Sequence, residues 1–128
     1  MNINYNIIRN LIGLQGIEIV YSNVNNGIFE VFATSSFEFA KCPHCGNITY
    51  TVHDKRHQSY RHLPIWGMDT VIILEIKRYV CDCDPKHPFD EYFSFIRRYQ
   101  RYTIAYEQYI FKLAHKNTIK NVSDITDA

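Results

Sequence analysis

The sequence of 128 residues predicts an α+β fold, in which a small antiparallel sheet is preceded by a β-hairpin and followed by a C-terminal helical arm. Alternating apolar residues, typical of strands, fill the first part of the chain, whereas Tyr102–Leu113 carries apolar residues at helical spacing. Four cysteines in two close pairs lie within the strand-rich part. A hydrophobic content of 46% is sufficient for a buried core, and no apolar run is long enough to span a membrane.

The strands are predicted from alternating apolar residues, the helices from helical spacing, and the turns from loop-forming or charged residues. A short N-terminal helix is expected at Asn4–Leu14, and a loop rich in Asn and Gly at Ser22–Gly27 predicts a hairpin between the first two strands. A charged turn is expected at Asp54–Gln58, and a second short helix at Thr118–Ala128. The strands are predicted at Ile17–Tyr21, Ile28–Thr34, Ile48–His53, Ser59–Leu63 and Thr70–Val80.

The cysteines form the pairs Cys42 and Cys45, in KCPHCGN, and Cys81 and Cys83, in YVCDCDPKH. A CPxCG turn lets the chain wrap one face of a tetrahedral cation, and the glycine lets backbone amides point at sulfur. A thioredoxin-like redox pair would open a helix, but the residues after Gly46 are strand-like. The pattern therefore predicts a zinc-ribbon-like sheet with a structural Zn²⁺, whose four protein ligands leave no position for a reactive water.

The identity of the last ligand stays open at this point. Cys81-Asp82-Cys83 is a tighter pair than the usual spacing of zinc ligands, so both sulfurs could be strained in reaching one ion. His87 follows Cys81 by six residues and offers an imidazole in place of one of these thiols. The expected ligands are Cys42, Cys45, Cys81 and Cys83, with His87 as the alternative.

The net charge of +1 hides an asymmetry, because residues 41–120 hold 13 of the 14 basic residues but only 8 of the 13 acidic ones. Such an excess is expected of a nucleic-acid surface, although an ordinary solvated face would also explain it. Trp66 follows Pro64 and is expected to anchor a turn in the core more readily than to stack on DNA. The expected DNA contacts are Lys55, Arg56, Tyr60, Arg61, Lys77, Arg78, Arg97, Arg98 and Arg101.

Five motifs follow one another along the chain: the CPxCG knuckle (Cys42–Gly46), V-H-D-x-R (Val52–Arg56), R-x-LP-x-x-G (Arg61–Gly67), a strand ending in R-[FY]-x-C (Val71–Cys81) and a phenylalanine-acidic stretch (Phe89–Glu91). Together they resemble the N-terminal zinc-binding domain of insertion-sequence transposases of the ISL-three family. Two departures from the family are His62, where the family commonly has aspartate, and the compressed second cysteine pair.

The resemblance implies a DNA-binding zinc module that contacts the terminal inverted repeats of an insertion sequence. It also implies three parts: an N-terminal helix and hairpin (1–40), a zinc ribbon (41–95) and a helical arm that starts a helix-turn-helix (96–128). The chain is expected to stop before that motif is complete and to lack the catalytic domain, so no catalytic activity is expected of it by itself.

The alternative function is a zinc-stabilised protein–protein interaction or dimerisation module with little DNA affinity. The expected partners are transposon ends and a second copy or full-length transposase, with no membrane. The paired thiols and the absence of a signal-like N-terminus favour a cytoplasmic location. The resemblance implies that the cell is a bacterium and that the protein associates with its nucleoid.

Overall fold

The structure is a computed structural model that describes residues 12–116, without the side chains of His115 and Lys116. The predicted helix Thr118–Ala128 and most of the predicted helix Asn4–Leu14 lie outside the described residues. The elements are β1 (Ile17–Asn25), β2 (Ile28–Ser35), β3 (Ala40–Lys41), β4 (Ile48–Thr49), β5 (Val52–Ile65), β6 (Met68–Tyr79), β7 (Phe89–Asp90) and α1 (Ile104–Lys116).

The main sheet has the strand order β1-β2-β6-β5, and β7 pairs with the end of β6. Two antiparallel hairpins, β1–β2 and β5–β6, meet through a parallel pairing of β2 with β6. The predicted α+β fold with a C-terminal helix is therefore confirmed. The sheet is mixed, however, because the N-terminal hairpin joins the long strands instead of standing before them.

One face of this sheet carries the hydrophobic core. Alternate residues of each strand point to the same face, so β2 and β6 each bury every second side chain. The aromatic residues Phe93 and Phe95, which follow β7, cover the same face together with Ile12, Leu14 and Ile17. The buried members from the strands are Phe29, Val31 and Ala33 of β2, Tyr60 and Ile65 of β5, and Ile72, Leu74 and Ile76 of β6.

The charged turn predicted at Asp54–Gln58 is wrong, because these residues continue β5 along the whole of β6. Their charges are compensated across the sheet: Asp54 pairs with Arg78, and Lys55 and His57 both lie near Glu75. Cross-strand opposite charges stabilise a sheet, and an edge strand such as β5 can carry them at the solvent boundary.

Two tight turns close the hairpins at the same end of the sheet. Asn26 and Gly27 connect β1 to β2 with φ of 53° and 78°, and Trp66 and Gly67 connect β5 to β6 with φ of 51° and 73°. Positive φ at both central residues is the mark of a type I′ turn, which fits the twist of antiparallel strands. Trp66 is 73% exposed, so the prediction that it anchors a turn in the core is wrong.

The segment before α1 pairs with the outer edge of β5. The Arg61 amide donates to the carbonyl of Arg101 at 2.9 Å, and the Thr103 amide donates to the carbonyl of Arg61 at 2.9 Å. Thr103 then caps the helix, because its Oγ1 accepts from the amide of Tyr106 at 3.2 Å. Backbone pairing and a side-chain cap thus fix where α1 begins relative to the sheet.

Candidate metal centre and nucleic-acid surface

The first cysteine pair lies in a turn between the short strands β3 and β4. The Cys42 amide donates to the carbonyl of Asn47 at 2.8 Å, and the Gly46 amide donates to the carbonyl of Cys42 at 2.9 Å. Gly46 has a φ of 78°, a conformation that costs little only for glycine. The turn therefore needs its glycine in order to hold Cys42 and Cys45 on the same side.

The second pair follows β6 directly, and two hydrogen bonds tie this end of the sheet to the first turn. Thr49 Oγ1 donates to the carbonyl of Val80 at 2.8 Å, and the Val80 amide donates to the carbonyl of Thr51 at 3.0 Å. The Asp84 amide donates to the carbonyl of Cys81 at 3.1 Å and closes a tight turn around the pair.

These contacts bring all four thiols together. Cys42 Sγ lies 3.5 Å from Cys83 Sγ, and Cys45 Sγ lies 3.6 Å from Cys81 Sγ. All four sulfur atoms lie within 4.8 Å of one another. Four thiolates at the usual zinc–sulfur distance of about 2.3 Å form a tetrahedron with edges of about 3.8 Å. The cluster fits a zinc ion with four sulfur ligands, and the tight Cys81–Cys83 spacing does not prevent it.

The electrostatics of the cluster favour a thiolate at Cys42. The backbone amide of Cys45 lowers the pKa of the Cys42 thiol to about 6, although desolvation acts in the opposite direction. A hydrogen bond with Cys42 raises the pKa of Cys83, because its thiol proton is shared with the neighbouring sulfur. The amide dipoles of the knuckle turn thus stabilise the Cys42 thiolate, which can bind a cation. Binding of a divalent ion would displace the protons from the other three thiols.

His87, the alternative ligand, is not among the four clustered ligand groups. Its ring is exposed, and Nδ1 lies 2.8 Å from Asp84 Oδ1, which lowers the pKa of the Asp84 carboxyl. The imidazole therefore has a partner outside the cluster.

Four of the expected DNA-contacting residues are paired with carboxylates. Arg56 forms two hydrogen bonds with Asp90 at 2.8 and 2.9 Å, and this contact raises the pKa of its guanidinium. The others are Arg78 with Asp54, Arg97 with Glu107 at 2.9 Å and Lys55 with Glu75 at 4.0 Å. Lys77 Nζ donates to the carbonyl of Phe37 at 3.0 Å.

Arg61, Arg98 and Arg101 have no carboxylate partner among residues 12–116. Arg61 lies against the first turn of α1, with its guanidinium 5.8 Å from the centre of the Tyr106 ring. Arg98 covers the ring of Tyr99 at 4.9 Å. An open groove of about 590 Å³ lies beside β5, and its lining includes His57, Gln58, Ser59, Tyr60, Arg61, Val71, Arg101 and Tyr102.

The structure contradicts the expected DNA contact through Tyr60. The side chain is only 3% exposed and belongs to the hydrophobic core, and its hydroxyl accepts a hydrogen bond from Gln58 Nε2 at 2.8 Å. A ring inside the core has no free face on which a sugar or base could pack. Its even-numbered position in β5 points it to the same face as His62.

His62 and Thr103 form a junction that the sequence interpretation missed. His62 Nδ1 lies 2.8 Å from Thr103 Oγ1, and Nε2 lies 2.7 Å from the carbonyl of Ile12. A threonine immediately before a helical apolar pattern is a capping signal, and that signal could have located the start of α1. The histidine partner could not be found in this way, since it lies 41 residues away.

Comparison with known protein families gives two matches along the chain. Residues 38–83 match the family described as zinc-finger of transposase IS204/IS1001/IS1096/IS1165, and this range contains all four cysteines. Residues 91–127 match the helix-turn-helix domain of transposase family ISL3, and this range contains α1. No curated protein and no solved structure matches the chain.

Four clustered cysteines inside a zinc-finger match indicate a structural Zn²⁺ as the cofactor. Within residues 12–116, no helix combines the length and the apolar character that crossing a membrane requires.

Proposed function

Since this chain belongs to the ISL3 family of transposases, we propose that it is a module that binds the terminal inverted repeats of an insertion sequence. The carrying observation is the helix-turn-helix match over residues 91–127, directly after the zinc-finger match. A helix-turn-helix positions one helix in the major groove of DNA. The module would bind bacterial DNA in the cytoplasm, next to a second copy of this chain or a full-length transposase.

The charges of the junction support this proposal. Arg61 and Arg101 line one groove beside β5, and neither has a carboxylate partner within residues 12–116. An arginine without a carboxylate partner is available for phosphate oxygens, which it binds through two hydrogen bonds. Because Arg61 also touches α1 through Tyr106, a phosphate bound here would lie next to the start of the helix.

We assign the metal to the four thiols of Cys42, Cys45, Cys81 and Cys83, and we propose that it has no catalytic role. A zinc ion with four protein ligands has no open position for water. Cutting and joining of DNA is therefore not proposed for residues 12–116 by themselves.

The zinc assignment is tested by metal analysis of two variants under reducing conditions. Cys83→Ser is expected to weaken zinc binding by more than the roughly 10–100-fold that loss of an outer-shell partner costs, because it removes a ligand. His87→Ala is the matched control and should keep the zinc content and affinity of the unchanged chain. The reverse order, with zinc lost in His87→Ala and kept in Cys83→Ser, would assign the fourth ligand to histidine.

The DNA proposal is tested by fluorescence anisotropy of a labelled mixed-sequence duplex at several salt concentrations. Each phosphate contact contributes about 0.9 to the slope of log affinity against log salt. The double variant Arg61→Gln, Arg101→Gln should therefore bind more weakly, with a slope smaller by about 2.

The matched control for this measurement is Lys86→Gln, which removes an exposed cation at the zinc end of the sheet. Its affinity and slope should equal those of the unchanged chain. An unchanged slope in the double variant would refute the groove as the phosphate site, and no retention of the duplex at low salt would refute the DNA proposal.

A zinc-stabilised dimerisation module is the second candidate, and one aromatic cluster favours it. Phe37, Phe39 and Tyr50 lie exposed beside the first cysteine turn, with ring centres 5.5 and 5.9 Å apart. Exposed aromatic residues in one patch are typical of protein interfaces. Concentration-dependent dimerisation without retention of the duplex would favour this function, and Tyr50→Ala should then weaken the dimer.

A further inference from the structure

The two hairpin turns of the sheet share a backbone conformation but differ in sequence. Both have positive φ at their two central residues, and glycine occupies the second central position in each. The first central residue is Asn26 in the β1–β2 turn and Trp66 in the β5–β6 turn. Asparagine is strongly preferred there, whereas a bulky side chain at positive φ is an outlier. Folding of the hairpin therefore gives no reason for tryptophan at this position.

Packing gives no reason either. The Trp66 side chain is 73% exposed, and no aromatic or cation contact joins its ring to another of the described residues. Buried Ile65 and half-buried Met68 flank the turn, so the strands themselves are anchored without the indole. A strained backbone that holds a large apolar ring in solvent is a combination that points to a binding role.

The position of the turn indicates what the ring meets. Cys81 follows the other end of β6, so the cysteine cluster and the Trp66 turn lie at opposite ends of this strand. Arg61 precedes Trp66 by five residues, which is at most about 17 Å of extended strand. The segment entering α1 pairs with β5 at Arg61, so the turn lies at the end of the sheet where the helix-turn-helix region begins.

We propose that Trp66 is a DNA-contacting residue, whose indole packs against the sugars and base edges of the duplex that this chain binds. The proposal rests on the proposed DNA-binding function and adds a contact from the zinc-finger region, at the far end of its hairpin from the metal. An indole offers a large apolar face with one N–H donor, which suits sugar rings and base edges. Cations at Arg61 and Arg101 would hold the phosphate backbone on the same side.

Trp66 is the only tryptophan in the chain, so its fluorescence reports on this site alone. In the full chain loaded with zinc, we expect a mixed-sequence duplex to change the tryptophan emission and to reduce its quenching by acrylamide. The excitation is set at the red edge of tryptophan absorption, where the ten tyrosines do not absorb. A duplex that binds while leaving the acrylamide quenching unchanged would overturn the proposal.

The second measurement uses Trp66→Asn, which places the preferred residue in the turn. We expect this variant to retain its full zinc content. It should melt at the same or a higher temperature, because asparagine adopts the positive φ of this turn more readily than tryptophan does. Its duplex affinity should fall by at least about fivefold, the lower range for loss of an aromatic contact to a base. The slope against salt should not change, because no phosphate contact is removed.

Tyr92→Asn is the matched control, since Tyr92 is 86% exposed and follows β7, which pairs with the end of β6 that leads to the cysteines. It should bind the duplex as tightly as the unchanged chain. Equal affinity of Trp66→Asn and the unchanged chain would refute the Trp66 contact and leave the DNA-binding function standing. An unchanged chain that retains no duplex at low salt would refute both.

Discussion

His62 joins three segments of the chain through one imidazole ring. It is 2% exposed, and both ring nitrogens have partners. Because a carbonyl can only accept, Nε2–H donates to Ile12, and Nδ1 then accepts from the hydroxyl of Thr103. Burial lowers the pKa of this histidine, so the neutral ring is the form that fits.

This arrangement predicts a pH dependence of stability. The folded pKa lies below the ordinary value of about 6.5, so the unfolded chain binds the proton more readily between the two values. The stability that neutral His62 contributes is therefore complete above about pH 6.5 and is lost as pH falls toward the folded pKa.

Replacement of His62 by glutamine, which can also donate and accept, should flatten this dependence. Urea unfolding at pH values between about 5 and 7 gives the free energy of unfolding of both chains. The effect of His62 is the difference between the two curves, because the zinc thiolates titrate in both chains and their contribution cancels. Parallel curves for the variant and the unchanged chain would contradict the assignment.

Single residues also show which parts of the candidate sites could be predicted from local sequence. The cysteine cluster was predictable because ligand spacing is a local property of the chain. Whether Arg56 and Arg78 are free to bind phosphate was not predictable, since their partners Asp90 and Asp54 lie 34 and 24 residues away. Cross-strand register decides which guanidinium groups are already paired, and that register is not encoded in a charge count.

Among the elements, β5 and α1 depend on one another. The outer edge of β5 is covered at Arg61 by the segment that leads into the helix, and the Ile104 amide donates to the carbonyl of Phe95 at 2.8 Å. Capping by Thr103 completes the junction, because its hydroxyl serves both His62 and the Tyr106 amide. The start of α1 is thus fixed by tertiary contacts as well as by helical propensity.

Substitution of Thr103 by valine keeps the shape of the side chain and removes its hydroxyl. Loss of the cap and of the His62 partner should lower the free energy of unfolding by about 1–3 kcal/mol. Hydrogen exchange should accelerate in the first turn of α1 more than in β6. Thr103→Ser keeps the hydroxyl and should retain most of the protection, whereas a larger loss in Thr103→Ser than in Thr103→Val would show that the methyl group matters instead.

The parallel pairing of β2 with β6 shows where element prediction from sequence ends. Both strands were predicted close to their observed bounds, because alternation of apolar residues is visible in each. Their pairing joins Thr34 to Glu75 across 41 residues. No turn or loop between them specifies this register, so only the matching of two apolar faces selects it.

At the scale of the whole molecule, the metal cluster and the hydrophobic core are separate. The core cluster contains none of the four cysteines, although Cys42 itself is buried. Hydrogen bonds from Thr49 and to Thr51 connect the cysteine turns to the end of β6. The zinc ion therefore fastens one end of a sheet whose middle is held by apolar contacts.

Chelation of zinc should loosen the molecule from this end. A structural zinc supplies on the order of 10 kcal/mol in zinc-finger peptides, so the thermal midpoint is expected to fall clearly. Hydrogen exchange should increase first in residues 38–51 and 80–90 and last in the paired middle of β2, β6 and β5. Uniform loss of protection after addition of a chelator would mean that the core does not persist without the metal.

The parallel pairing also has a consequence for the newly made chain. The β1–β2 hairpin leaves the ribosome well before its partner strand, since Thr34 is synthesised 41 residues ahead of Glu75. During that interval the edge of β2 has no β6 to pair with, and Phe29, Val31 and Ala33 lack the rest of the core. Unpaired strand edges and exposed apolar surface promote aggregation. The rate of translation through β6 therefore determines how long this nascent surface is exposed.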